Sequence, residues 1–210
     1  MKTIRAALAA AAALTACASS PDPAAIDRMA QATIHSSFRE QGIAKLDRLE
    51  QDEQQKICSS PQPPAEAEAK RLQDAQLATI KWPLNGVYLD DWREGEKLAQ
   101  NGRGMTWSDK AGAPSGGNCY NCHQLTKAEV SFGTIGPSLY HYGKLRGVTN
   151  PADPSAAPVV QYTWGKIWNA KAYSACSTMP RFGHAGVLTQ DQVRDLMALL
   201  LDPKSPVNAD

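Results

Sequence analysis

Apolar residues Ile26, Met29, Ile34, Phe38, Leu46 and Leu49 recur at near-helical spacing through residues 26–57, with charged residues filling the gaps. That pattern predicts helices lying with one face on another surface, and Gly42 marks a break between two helical pieces. Ser59-Ser60-Pro61-Gln62-Pro63-Pro64 stops any helix and reads as a stiff connector. Residues 65–81, rich in Ala, Glu, Lys, Leu and Gln, predict a further helix that ends at Trp82-Pro83. Asp91 is placed to cap a helix through Trp92, Glu96, Leu98 and Ala99, closed by Asn101-Gly102. Residues 102–118 read as loop, with a short helix expected over the cysteine motif that follows. Residues 133–158 hold several glycines and prolines and little periodicity, so loops wrapping a ligand are expected there. The last helix is the best marked. Thr189 and Gln192 form a T-x-x-Q capping box, Leu188 and Val193 take the staple positions, and Val193, Leu196, Met197, Leu199 and Leu200 supply an apolar face before Asp202-Pro203. So placed, this helix should pack on the one that Asp91 caps. The expected class is all-α, in three parts: residues 1–16, a helical extension over 17–82, and a main domain over 83–210.

The first part is a leader. Lys2 and Arg5 precede an Ala/Leu-rich run ending in small residues, the make-up of a secretory signal and too short for a permanent membrane span. Leu14-Thr15-Ala16-Cys17 also resembles a bacterial lipobox, in which the cysteine becomes the acylated first residue of the mature chain. The plainer alternative is cleavage near Ala16 or Ala18 without lipid. Loss of Lys2 and Arg5 takes the formal net charge from +1 to about −1, which leaves no field that would gather nucleic acid.

The chemistry is concentrated in Cys119-Tyr120-Asn121-Cys122-His123, the C-x-x-C-H spacing that fixes a c-type haem to protein. The two thiols form thioethers and the adjoining imidazole binds iron from the proximal side. A thioredoxin-like motif would want a strand before it, whereas this one follows the loop Ala113-Pro114-Ser115-Gly116-Gly117-Asn118. A zinc site would need further ligands at close spacing, and Cys58, Cys176, His35, His141 and His184 are scattered. With Cys17, Cys119 and Cys122 assigned, Cys58 and Cys176 remain as two thiols in an oxidising compartment and are expected to pair, although spacing alone leaves free thiols open.

His123 fills one axial position only. Met179, in Met179-Pro180-Arg181-Phe182-Gly183, is the expected second ligand, 56 residues later and just before the last helix. Met105 and His184 are its competitors; Met197 belongs to the helix face and Met29 to the extension. Gly136-Pro137-Ser138-Leu139 stands where a proline packs on the axial imidazole and its carbonyl accepts the Nδ1 proton, the alternative being a simple turn.

With C-Y-N-C-H, G-P-S-L and M-P-R-F-G in this order, residues 88–203 resemble a class I mono-haem cytochrome c, and more narrowly the SoxX family of small cytochrome subunits from SoxAX complexes. The resemblance implies a class I cytochrome c fold with one covalently bound haem c on Cys119 and Cys122, iron between His123 and Met179, and Pro137 on the histidine. It implies a periplasmic location, here tethered through Cys17, and a heterodimer with a SoxA-like haem subunit. That complex links thiosulfate to a cysteine of the carrier SoxYZ, an L-cysteine S-thiosulfotransferase activity whose reacting site belongs to the SoxA partner. This chain would be the non-catalytic subunit that takes electrons and passes them to a soluble cytochrome c. The alternatives are a generic His/Met electron carrier serving an oxidase or dehydrogenase, and a haem protein with an open iron. The resemblance does not reach residues 17–82, read as a docking extension pinned through Cys58 and Cys176 and stiffening the loop of Met179.

Overall fold

Seven α-helices and four short 3₁₀ turns make up the regular structure of a computed structural model that describes residues 22–209. The expected leader 1–16 and Cys17 lie outside the described residues. Among the described residues there is no strand, only an isolated antiparallel bridge between Gln41 and Ala44, so the protein is helical as expected. The chain falls into two compact units, one ending at Arg39 and the other beginning at Glu40.

The first unit holds α1 (Pro23–Ser37), started by Asp22, whose side chain accepts from the amide of Ala24. No residue of α1 is buried, and Ile26 and Met29 are exposed.

The second unit begins with the Gln41–Ala44 bridge and a 3₁₀ turn at Leu46–Leu49, where the apolar spacing predicted a helical piece. α2 (Glu53–Cys58) follows behind a capping box in which Asp52 accepts from the Gln55 amide and the Gln55 side chain accepts from the Asp52 amide. After the proline connector comes α3 (Glu66–Leu77), tied to α2 through Arg71 and Glu53. Residues 40–82 therefore belong to the same compact unit as the residues that follow them.

α4 (Trp92–Gln100), capped by Asp91, crosses α7 (Gln190–Leu201) in the most extensive helix contact of the molecule. The crossing is close because Gly95 has no side chain: a Cβ there would stand 2.1 Å from the carbonyl oxygen of Asp195. α7 starts at the expected Thr189–Gln192 capping box and buries Val193 and every residue from Leu196 to Leu201.

Between them lie α5 (Tyr142–Leu145) and α6 (Ala157–Trp168), both in or beyond the stretch expected to be loop. α6 buries one face, Val160, Thr163, Trp164, Ile167 and Trp168, at the i, i+3, i+4, i+7, i+8 spacing of an amphipathic helix, while Gln161 and Tyr162 are exposed; the expected loop, resting on the glycines and prolines up to Pro158, takes no account of this spacing. Trp164 stacks on Trp168 at 5.8 Å, meets Tyr88 edge-on at 5.5 Å, and donates its indole N–H to the Lys81 carbonyl at 3.0 Å. Asn169, fully buried behind α6, donates to Gln76 and Thr79 and so fastens the end of α3 to this core.

Gly95→Ala should cost about 1–3 kcal/mol, the range for forcing volume into a packed contact, read from urea unfolding of the purified protein.

Candidate functional site

α4 delivers the chain to a tight turn. Its last carbonyls receive amides from the following loop, Leu98 from Gly117 at 2.8 Å and Asn101 from Asn118 at 3.0 Å. Asn118 takes a left-handed conformation (φ 49°), suited to asparagine, and turns the chain into a single 3₁₀ turn over Cys119–Asn121 in place of the short helix expected. The Cys119 carbonyl accepts from the amides of both Cys122 and His123, which gathers Cys119, Cys122 and His123 along one wall of a cavity. The two thiols are not bonded to each other.

Residues 133–139 are fastened across this turn by amides of Gly133, Gly136 and Leu139 donating to carbonyls of Tyr120, Cys122 and Gln124 at 2.7–2.9 Å. Gly136 lies flat against the imidazole; a Cβ there would sit 2.1 Å from Cε1 of His123. The next carbonyl, of Pro137, is 2.7 Å from His123 Nδ1. A carbonyl can only accept, so Nδ1 carries the proton and Nε2 keeps a free lone pair, the form in which histidine binds a metal.

A second stretch of the lining comes from residues 177–180 and Phe182, with Met179 among them. The cavity measures about 390 Å³ and is finished by apolar side chains including Leu125, Leu139, Ile167, Leu196, Leu199 and Leu200. That volume is in the range of pockets for organic ligands. Among the methionines of the described residues, Met179 is the one that lines it: Met197 is buried in α7, Met105 is on a loop whose carbonyl binds Arg48, and Met29 is exposed on α1. His184 does not line it either. The cavity thus has an imidazole nitrogen and a thioether sulfur on its walls, with two free thiols beside the first.

Burial pushes the Cys119 thiol up to about 12, so it stays protonated at neutral pH. Redox C-x-x-C sites work the opposite way, with a thiol lowered toward neutrality. Among the described residues no three His, Cys, Asp or Glu side chains gather as metal ligands, whereas a structural zinc needs four. Two cations line the cavity as well, Arg146 over the Tyr142 ring at 3.7 Å and half-buried Lys166, and neither has an acidic partner among the described residues.

Behind the Met179 wall lies α2. Cys58 and Cys176 form a disulfide with Cα atoms 5.4 Å apart, closing a sequence separation of 118 residues. Gln54, buried in α2, donates to the carbonyl of Ala175, and Asp52 pairs with Arg181 at 2.8 Å. The expected pairing of Cys58 with Cys176 is what brings α2 to this loop; Gln54 has no sequence signal, being a lone amide on a short helix.

An uncharacterized lipoprotein of Aquifex aeolicus (strain VF5) is 38% identical over 161 residues, covering 75% of this chain and 73% of the relative. The chain belongs to the family of that lipoprotein. A match of this extent is longer than residues 83–210, so it takes in part of the chain before Pro83. No family model matches.

Burial works against the charge on Asp52, but the Gln55 amide and the Arg181 guanidinium outweigh it and hold the carboxyl below the usual range. A carboxyl lowered by folding stabilises above its ordinary value, near 3.9, and loses that contribution as pH falls through the folded value. Asp52→Asn should therefore cost less than about 1 kcal/mol at pH 7, since the pair is partly exposed. The gap between wild type and variant should close in urea titrations as pH falls below the ordinary carboxylate range.

Proposed function

We propose that this protein is a mono-haem cytochrome c with the class I fold, the electron-accepting subunit of a SoxAX-type complex. The observation that carries the reading is that Met179, 56 residues after His123, lines the same largely apolar cavity as Cys119, Cys122 and His123. The crossing of α4 and α7 beside the motif supports the class I fold.

The residues fit a haem in kind and in placement. Cys119 and Cys122 would hold it as thioethers: each S–H adds across a vinyl group, a carbon–sulfur bond forms, the hydrogen goes to the neighbouring carbon, and no oxidant is consumed. His123 presents Nε2 because Pro137 holds the proton on Nδ1. Met179 would hold the iron through its thioether sulfur, a donor that favours the reduced state and raises the potential. Arg146 and Lys166, cations without acidic partners, suit the carboxylate edge of such a group. The apolar lining excludes water, which leaves the site able to change charge with little rearrangement around it. When bound, the haem supplies one-electron chemistry between ferrous and ferric iron.

In the wider reading, the complex forms the bond between the sulfane sulfur of thiosulfate and a cysteine of a SoxYZ carrier on a SoxA-like partner. This chain takes the two electrons released, one at a time, and gives them to a soluble cytochrome c. The word lipoprotein in the relative's description supports a tether at Cys17, which places the domain at a membrane surface on the periplasmic side.

Intact mass of protein from the cell envelope should show one haem and an acylated Cys17. Met179→Ala should abolish the near-infrared sulfur-to-iron charge-transfer band and lower the midpoint potential, and an unchanged spectrum rejects Met179 as ligand. Haem reduction that requires thiosulfate, carrier protein and a co-purified second haem subunit supports the SoxX assignment. A monomer inert to thiosulfate leaves a generic electron carrier instead.

A further inference from the structure

We infer that residues 52–58 are positioning residues for the second axial ligand: α2 clasps both flanks of Met179 and holds its sulfur toward the cavity. The inference rests on the reading of Met179 as an iron ligand.

The segment that carries the sulfur cannot hold itself. Thr178, Met179 and Pro180 make no main-chain hydrogen bond to other main chain, and the Met179 amide reaches only the Ser177 hydroxyl at 3.3 Å. The proline has no N–H to give. By contrast the histidine wall is sewn across by three main-chain bonds over residues 133–139. Whatever fixes Met179 must therefore include the residues on either side of it: Phe182 is buried in the core and His184 donates to the Trp168 carbonyl, while Ala175, Cys176 and Arg181 all meet one short helix. Three residues before Met179, Cys176 is bonded to Cys58; one residue earlier, the Ala175 carbonyl takes its hydrogen bond from buried Gln54. Two residues after it, Arg181 is paired with Asp52.

The clasp is itself anchored. Glu53 holds Arg71 of α3 at 2.7 Å, and the end of α3 is bound through Gln76 and Thr79 to Asn169, at the head of the 3₁₀ turn Ala170–Ala172 that leads into the same loop. The path thus returns to the loop from its other end. A spacer between membrane and domain would need none of these bonds. The lipoprotein match, which reaches into the residues before Pro83, is in keeping with a segment that serves the site.

A weakened clasp should let the loop open more often while the rest of the fold persists. If the open form rises from about 1% to about 10% of molecules, the apparent affinity of ferrous protein for an external sixth ligand rises about tenfold.

The test uses holoprotein carrying Cys58→Ser with Cys176→Ser, and separately Gln54→Leu, which keeps the cross-link and fills the volume. Wild type and Met179→Ala are the references. The expected result is a weaker near-infrared charge-transfer band that melts below the far-ultraviolet circular dichroism transition, about tenfold tighter carbon monoxide binding at pH 7, and a lower midpoint potential. A purely structural role would lower both melting transitions together and leave band, affinity and potential at 25 °C as in wild type, and that result overturns the inference. Should the double serine variant fail to fold, Gln54→Leu decides by the same criteria. A wild type without the band ends the ligand reading and the clasp with it. A band lost in Met179→Ala yet full in both clasp variants ends the clasp alone.

Discussion

A side chain on a loop without main-chain hydrogen bonds can be aimed only by what holds the loop's ends. Residues 178–180 are such a loop, and the cavity depends on where they stand, because the imidazole of His123 has little freedom of its own. Its ring is pressed by Gly136, its Nδ1–H donates to the Pro137 carbonyl, and its amide donates to the Cys119 carbonyl. One wall is set by local bonds within about twenty residues of chain; the other is set by a helix that starts more than one hundred residues earlier. The asymmetry explains why the molecule needs residues 40–82 inside its compact unit.

The energetics follow the same division. α7 buries Val193 and the run Leu196–Leu201, which supplies the hydrophobic bulk against α4 and the cavity floor. Each fully buried leucine is worth about 1.5–3 kcal/mol, far more than a partly exposed ion pair such as Asp52 with Arg181. Global stability thus belongs to the α4–α7 crossing and the tryptophans of α6. The contacts of α2 are few and polar apart from the disulfide, so their effect is on where a loop stands rather than on whether the protein folds. On the chain-entropy account a cross-link over 118 residues contributes about 4–5 kcal/mol by restricting the unfolded chain, so Cys58–Cys176 is the one α2 contact with leverage on both.

What the sequence showed and hid divides along the range of the interactions. The capping box of Thr189 and Gln192 and the cap at Asp91 were readable, since each is a bond between residues two or three apart. The C-x-x-C-H spacing is local as well, and its turn brings all three side chains to the cavity. α6 was masked by its start: Pro158 looks like loop chemistry while being suited to a first helical turn, although Val160, Trp164, Ile167 and Trp168 keep helical spacing behind it. The box of Asp52 and Gln55 is a local signal that the apolar spacing of residues 26–57 obscured. Gln54 could not have been found, because its partner lies 121 residues away and a single glutamine carries no pattern.

The two cysteine pairs show the same chemistry used in opposite ways. Cys119 and Cys122 are separated by two residues on one turn and remain unpaired, while Cys58 and Cys176 are joined across 118. In an oxidising compartment neighbouring thiols on a turn would be expected to oxidise unless something consumed them. The surroundings of Cys119 hold its thiol neutral, and a neutral thiol is a poor nucleophile in exchange. On the proposed reading, thioether formation then removes both from redox chemistry for good, and it requires no thiolate-driven exchange. The distant pair faces no competing fate: Cys176 is exposed beside the loop, and its oxidation to Cys58 closes the clasp. The neighbouring pair is free beside the cavity, and the distant pair is joined beside the loop that carries Met179.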